Sequence, residues 1–383
     1  MADVDILLVA DPRFSGGSST ALIADARAFL DLGATVGLLL VTSRFFADPT
    51  DQPNPDVLAL LDEAGVTPIE SGATVTTKTA FLHHPLPFYH GVPEHAVMSA
   101  DQVVLVVHHP PFRGDGSMEY NPLQTQAEIA RKFGQSPLWA PVSGAIRRQL
   151  RSFAPLIRMT NTDWVNAFDI AGWCPERKGF DGPRPVVGRH GRPDPLKWPD
   201  RSSDIEAALK LGPDWSTHVL GCPREHLRDQ GVDMTGWTVL DFNAAPVGDF
   251  LNDIDVFSYF YCDLWFEAFG RTVTEAMLME RPCILDPRLQ ATFGDLAQYC
   301  APSEVRAAAN RLRADPAETR RKSAQVRERI VLQYGTQSIG ERLAALAVDH
   351  GTISRKGPIF AGPVQTVRKG IGLMRRRNAG IER

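Results

Sequence analysis

Short apolar runs alternate with amphipathic stretches from one end of the chain to the other, the pattern of an open parallel α/β sheet. Residues 5–10 (DILLVA) read as a buried first strand. A glycine-containing loop comes next over 11–18, then a helix over 19–32. Its apolar residues Leu22, Ile23, Ala26, Phe29 and Leu30 share one face, and Gly33 is placed to end it. The next strand is 35–41. Further on, 103–107 is a strand that runs directly into His108-His109-Pro110-Pro111. The second half restarts the pattern, with strands expected at 185–189, 217–221, 238–242, 255–261 and 282–285. Helices dominate from 303 to 348, and no repeat of 20 to 50 residues is visible. The Pro/Gly-rich stretch 175–185 (PERKGFDGPRP) is the expected interdomain link. The chain therefore divides into 1–180, 181–350 and a tail, 351–383. Two open sheets in tandem predict a ligand site between them, at the carboxyl ends of their strands.

Composition narrows this picture. At 383 residues, 43% apolar and 22% charged, the chain is of ordinary globular make-up and long enough for two domains. The apolar runs fall well short of the roughly 18 residues a membrane span needs. The start, Met1-Ala2-Asp3-Val4-Asp5, lacks the basic opening and apolar core of a signal peptide, so a cytoplasmic location is expected. Five cysteines are an odd number with no Cys-x-x-Cys spacing, which argues against a disulfide framework and against a zinc site. The net charge of −4 hides an asymmetry: residues 351–383 carry eight Lys or Arg against Glu382 alone. The rest of the chain is correspondingly acidic, which argues against a general nucleic-acid binder.

No G-x-G-x-x-G follows the first strand, and neither G-x-x-x-x-G-K-[ST] nor G-x-S-x-G occurs, so dinucleotide, P-loop and serine-hydrolase readings lack support. The most informative stretch is Trp265-Phe266-Glu267-Ala268-Phe269-Gly270-Arg271-Thr272-Val273-Thr274-Glu275-Ala276-Met277. It follows a predicted strand and opens a helix that ends by Arg281-Pro282. A loop turning into a helix N-terminus offers backbone N–H groups and the positive end of the dipole to an anion. Gly270 lets the backbone approach it closely. Glu267 before the turn and Glu275 inside the helix are placed to accept from hydroxyls of one ligand. The plainer reading is that Thr272-x-x-Glu275 is a capping box.

This segment resembles the Glu-x7-Glu signature of retaining GT-B glycosyltransferases, particularly the family-4 group, with Glu267, Phe269, Gly270, Glu275, Ala276 and Met277 in the matching positions. The match runs on through Arg281-Pro282-Cys283-Ile284-Leu285, where Arg281 replaces the usual glycine and alters the helix end more than the site. A second segment, Gly188-Arg189-His190-Gly191-Arg192-Pro193-Asp194-Pro195-Leu196-Lys197, resembles the family's Gly-Arg…Lys stretch. The resemblance implies two Rossmann-like domains facing each other across a cleft, the second holding a nucleotide-diphosphate sugar. Glu267 would contact the donor sugar and Glu275 the nucleotide ribose. The backbone around Phe269, Gly270, Arg271 and Thr272 would hold the diphosphate. An Arg and a Lys aimed at the leaving diphosphate stabilise its growing charge without a metal. Arg189 matches by its place at the strand end, Arg192 by its distance to Lys197, and both stay candidates. Basic residues in a Pro-rich loop are otherwise simply solvated.

The first half matches more loosely. Gly16-Gly17, between the first strand and helix, takes the place of the family's glycine loop over donor phosphate and acceptor. His109, or His108, resembles its acceptor-side histidine, against the plainer reading of a His-Pro loop packed on Phe112. His83, His84, His90 and His95 lie in a Pro-rich segment read as an acceptor-facing loop. The basic tail is a solvated terminus, or an arm for anionic lipid or an acidic glycan. Taken together, the resemblance implies a retaining, metal-independent glycosyltransferase. It needs no cofactor beyond its donor substrate, and its acceptor is a glycan, a lipid-linked glycan or a small molecule. The competing readings are a sugar-nucleotide epimerase of the same fold, for which no acid/base pair is evident, and a non-catalytic nucleotide- or glycan-binding protein.

Overall fold

The computed structural model describes residues 2–46, 48, 50–93, 96–154, 156–351 and 362–375. His95 and the tail segments 352–361 and 376–383 lie outside the described residues. The chain forms two compact units, Met1–Phe168 with Thr336–Arg383, and Asp169–Gly335. Residues 336–350, which the sequence division put with the second half, group with the first unit. The helix Ile339–Ala347 in that stretch packs on the helix Gly17–Asp31.

Among the described residues the first unit carries seven strands: β1 (Ala2–Ala10), β2 (Val36–Leu40), β3 (Val66–Pro68), β4 (Thr74–His83), β5 (Val97–Val107), β6 (Leu138–Pro141) and β7 (Arg158–Met159). They form one sheet in the order β3-β2-β1-β4-β5-β6-β7, every pair parallel. The apolar run of β1 is buried on both faces, as a parallel sheet covered by helices requires. Strand order reverses between β1 and β4, which register Val9 against Leu82. In such sheets the crevice outside the carboxyl ends of the strands at that break is where ligands sit. Opening that crevice are Asp11 after β1, His83 at the end of β4 and His108 after β5.

The second unit repeats the design with β8 (Val186–His190), β9 (Ser216–Leu220), β10 (Trp237–Leu240), β11 (Val256–Tyr259), β12 (Cys283–Leu285) and β13 (Gln298–Tyr299). Its order is β10-β9-β8-β11-β12-β13, again all parallel, and its break lies between β8 and β11. Val187, Trp198, Trp215, Val219, Val256, Phe260 and Ile284 centre its core. The loops leaving β8 and β9 nearly touch. Gly221 has φ 78°, and a Cβ there would stand 1.9 Å from the Gly191 carbonyl oxygen, so only glycine fits.

The stretch expected to link the domains is instead docked inside this unit. Asp255 Oδ1 accepts from the Arg177 guanidinium (2.7 Å) and the Phe180 amide (2.6 Å), and its Oδ2 accepts from the Val186 amide (2.7 Å). Buried Arg281 donates to the carbonyls of Met279 (2.7 Å), Ile254 (3.0 Å) and Arg177 (2.5 Å). Arg281 thus ties the end of its helix to the start of β11 and to the docked segment. The left-handed turn that ends the helix falls on Glu280, at φ 57°. Among the described residues no helix is long and apolar enough to cross a membrane.

Candidate functional site

The loop beyond β11 delivers Glu267 to the break in the second sheet. Its carboxylate is nearly buried, 9% exposed, and three donors converge on Oε2. The Tyr259 hydroxyl donates at 2.7 Å, the Trp265 indole N–H at 3.3 Å and the Lys197 ammonium at 3.5 Å. Burial alone would push the carboxyl upward. The charge of Lys197 and the hydrogen bonds from Tyr259, Trp265 and Lys197 outweigh it and hold the group below the ordinary glutamate value. Glu267 is therefore an ionised, fixed carboxylate.

Lys197 is itself held from behind. Arg189 donates to the Lys197 carbonyl (2.7 Å) and the Phe260 carbonyl (3.1 Å), and its guanidinium lies 3.8 Å over the Trp198 ring and 4.9 Å from that of Tyr259. Burial lowers this arginine to about 10. The structure thus separates the two arginine candidates. Arg189 is a buried brace that fixes the Lys197 backbone, while Arg192 is exposed on the loop after β8.

Glu275 sits in the helix Arg271–Leu278, whose N-cap is Gly270 at φ 88° with no side-chain cap. Thr272 is the second residue of that helix, so the capping box read from Thr272 and Glu275 does not form. Glu275 Oε1 lies 3.8 Å from Arg271 Nε, and Oε2 lies 3.5 Å from His190 Nε2. Burial raises this carboxyl, against the charges of Arg271 and Lys197. His190 at the end of β8 is 4% exposed and drops to about 3, chiefly through burial, so its imidazole is neutral. Its Nε2 has no hydrogen-bond partner among the described residues. Phe269 turns its ring into the core against Tyr334 and Phe293 (5.5 and 6.4 Å between centroids), leaving only its backbone to face a ligand. Sequence reasoning brought Glu267, Glu275 and Lys197 to this place and missed the parts of His190, Tyr259 and Trp265. All three lie within or beside the two segments that carried the resemblance.

The break in the first sheet is furnished differently. Gly16 caps the helix Gly17–Asp31 at φ 75°, just after a locked turn in which Asp11 takes a bidentate grip on Arg13 (2.9 and 2.7 Å). Asp11 also accepts from Ser43 Oγ and N (2.6 and 2.8 Å). His83 Nδ1 and His108 Nε2 are 3.2 Å apart. His84 stands at φ 76°, caps the helix Pro85–His90 through Nδ1 (3.3 Å from Leu86 N) and stacks on Phe14 at 4.0 Å. Burial keeps both His83 and His84 far below the ordinary histidine value. The segment read as an acceptor-facing loop is thus a strand end and a helix whose His83 and His84 are buried. His109 is less enclosed. Its ring lies 5.4 Å from that of His84, and its Nε2 is 3.7 Å from Glu119 Oε2, a carboxylate also paired with Arg113. Phe112 is indeed buried, as the plainer reading of this loop had it, but against Phe153 (6.2 Å), leaving His109 to pair with Glu119. Among the described residues no group of three or more His, Cys, Asp or Glu side chains could hold a metal ion.

No family model matches this chain, and no curated protein matches it. Solved structures do. HepE of Anabaena, crystallised with UDP and glucose, is 15% identical, with 90% of this chain and 99% of that one covered and a TM-score of 0.61. A glycosyltransferase of Rickettsia africae is 12% identical over 90% and 97%, also with a TM-score of 0.61. WaaG, a glycosyltransferase of lipopolysaccharide biosynthesis, is 13% identical over 90% and 99%, with a TM-score of 0.54. The fold is GT-B. Its two Rossmann-like units are the two sheets described above, and the Glu267–Glu275 segment follows the fourth strand of the second.

Proposed function

We propose that this chain is a retaining, metal-independent glycosyltransferase that moves a sugar from a nucleotide-diphosphate sugar to an acceptor hydroxyl in glycan, polysaccharide or glycolipid synthesis. The observation that carries the reading is the convergence of Lys197, Tyr259 and Trp265 on one oxygen of Glu267 beside the Gly270 helix start. A carboxylate already occupied on one oxygen by three donors is suited to position a sugar hydroxyl and poorly suited to attack carbon. The acceptor then attacks on the face from which the leaving group departs, assisted by the leaving phosphate. Lys197, braced by Arg189, and Arg192 on the adjoining loop supply positive charge to the departing diphosphate. Glu275 accepts from the ribose, and the Gly270–Thr272 backbone takes the phosphates. In the first unit, Gly16-Gly17 and His109 serve the phosphate and acceptor side. Peripheral contact of the basic tail with the inner face of a membrane belongs to the same reading. HepE was solved with UDP and with UDP-glucose, which makes UDP-sugars the first donors to test.

The test is incubation with a panel of nucleotide sugars and simple acceptors, followed by NMR of the product. The reading expects release of the nucleoside diphosphate and a product of the donor's own anomeric configuration. Inversion would contradict retention. Interconversion of the donor sugar would give the site to an epimerase, and donor binding with no turnover to a non-catalytic protein.

A further inference from the structure

Buried polar atoms in folded chains nearly always have a hydrogen-bond partner, so one that lacks it beside a site calls for a reason. His190 Nε2 is such an atom among the described residues. The residue ends β8, the strand at the break in the second sheet, and is 4% exposed. Its ring is seated against Phe250 and Phe257, 6.2 and 5.6 Å between centroids. That seat is apolar and would suit a phenylalanine ring as well as an imidazole.

The atom that Nε2 does face is Glu275 Oε2, 3.5 Å away and outside hydrogen-bonding geometry. On the other side of the carboxylate, Oε1 lies 3.8 Å from Arg271 Nε. Both contacts are longer than the roughly 2.7–2.9 Å of a charge-assisted hydrogen bond. Glu267, by contrast, already holds the Tyr259 hydroxyl at 2.7 Å. One carboxylate of the site is therefore clamped in the free protein, and the other stands open with a buried donor poised behind it.

We propose that His190 is the positioning residue of Glu275: with its proton on Nε2, the imidazole closes the gap and donates to Oε2 when a vicinal diol engages the carboxylate. Oε1 and the outer lone pairs are then left to accept from the two hydroxyls. The opposite tautomer would turn a nitrogen lone pair onto a carboxylate oxygen, which repels it. Because Nε2 is sealed from solvent, the ring does not touch the ligand and acts through Glu275 alone. An N–H aimed at the carboxylate also favours its ionised, accepting form against the burial that raises it. The unpartnered nitrogen thus weakens the free protein and is satisfied in the complex. This inference rests on the reading of Glu275 as the ribose acceptor, and it adds the device that makes the site prefer an intact ribose to one without hydroxyls.

The experiment is titration calorimetry of the full chain and its His190→Phe and His190→Gln variants with UDP, GDP and ADP, and with the 2′,3′-dideoxy counterpart of each. The wild type should bind one of these nucleotides about tenfold or more tightly than its dideoxy form. His190→Phe should weaken that nucleotide about tenfold and its dideoxy form by less than about twofold. Added to Glu275→Gln, it should cause no further loss. His190→Gln, whose side-chain amide N–H reaches the same place, should restore most of the affinity. The thermal midpoint of the free His190→Phe protein should stay level or rise, since an apolar ring replaces a buried polar atom without a partner. Nitrogen NMR should place the His190 proton on Nε2 in the complex. A residue that only shaped the core would lose stability, and affinity for both forms of nucleotide, together. Equal losses for the two forms, or wild-type affinity in His190→Phe, would overturn the positioning role and leave the nucleotide reading standing. Absence of binding by all three nucleotides would overturn that reading and this inference with it.

Discussion

At the carboxyl end of β11 one carboxylate gathers an ammonium, a phenol and an indole. At the carboxyl ends of β4 and β5, four imidazoles lie ring against ring beside Phe14. The two sheets break their strand order in the same way, so each offers the same kind of crevice, but the second centres on an ionised carboxylate and the first on the buried, neutral rings of His83 and His84. Burial acts on both. In the second unit Lys197 overrides it and Glu267 stays ionised, whereas in the first nothing opposes it and His83 and His84 stay neutral. A pre-set charged crevice suits a ligand that develops charge on reaction, such as a nucleotide diphosphate. Buried imidazoles beside an aromatic ring offer hydrogen bonds and stacking to a polar, uncharged partner. The shared topology places both crevices at the carboxyl ends of their strands, and the local charge balance makes them different.

That division of labour can be broken most forcefully at Lys197. Lys197→Ala removes the cation from Glu267 and from the leaving diphosphate, and kcat should fall by about 100- to 1,000-fold. An unchanged kcat would remove Lys197 from the chemistry. Next in size is Glu275→Gln, which should weaken nucleoside diphosphate binding about tenfold or more by loss of a charge-assisted hydrogen bond. Titration calorimetry across pH sharpens this. Since burial raises Glu275, wild-type affinity should begin to fall at a pH above the ordinary glutamate value, and the variant should lack that limb.

A subtler separation tests the first unit. Glu119→Gln, which loosens the partner of His109, should lower kcat/KM for acceptor by roughly tenfold while leaving nucleotide affinity untouched. A parallel loss of nucleotide affinity would join what the comparison keeps apart. The smallest effect concerns stability against pH. A histidine buried neutral has its folded value below the unfolded one, near 6.5, so its contribution is present above that pH and is lost as pH falls below it. Each such group contributes up to about 1.4 kcal/mol per pH unit. His83 and His84 are buried in the first unit and His190 in the second, so hydrogen exchange from pH 7 to 5 should soften the first unit more steeply. Equal softening would contradict the assignment of neutral imidazoles.

Much of this was legible in the apolar rhythm. The runs at β1 and β2 announce themselves because a strand buried on both faces is largely apolar, whereas β8, β9 and β11 show shorter apolar stretches beside polar residues. β4 escaped notice, since its first six residues are threonine and lysine apart from Val75 and its continuous apolar run is only Ala80-Phe81-Leu82. Glu267, Gly270 and Glu275 were readable from spacing, because a loop entering a helix fixes their separation. The choice between Arg189 and Arg192 was not. Spacing cannot show that one guanidinium is sealed between Trp198 and two carbonyls. Tyr259, Trp265 and His190 were hidden for a related reason: each acts through a contact set by strand register and loop path, which no local pattern records. The docked segment 175–185 misled in the other direction, since its proline and glycine content signals a link while Asp255, far along the chain, holds it in place.

On the proposed function, the second unit's crevice holds a nucleoside diphosphate. Thermal unfolding of the wild type, Lys197→Ala and Glu275→Gln against UDP, GDP, ADP, TDP and NAD tests it most directly. A ligand at about 100 times its dissociation constant adds roughly 2.7 kcal/mol of stability. One nucleoside diphosphate, and not NAD, should raise the wild-type midpoint, and both variants should diminish the shift. A shift with NAD alone, or a diphosphate shift equal in all three proteins, would contradict it.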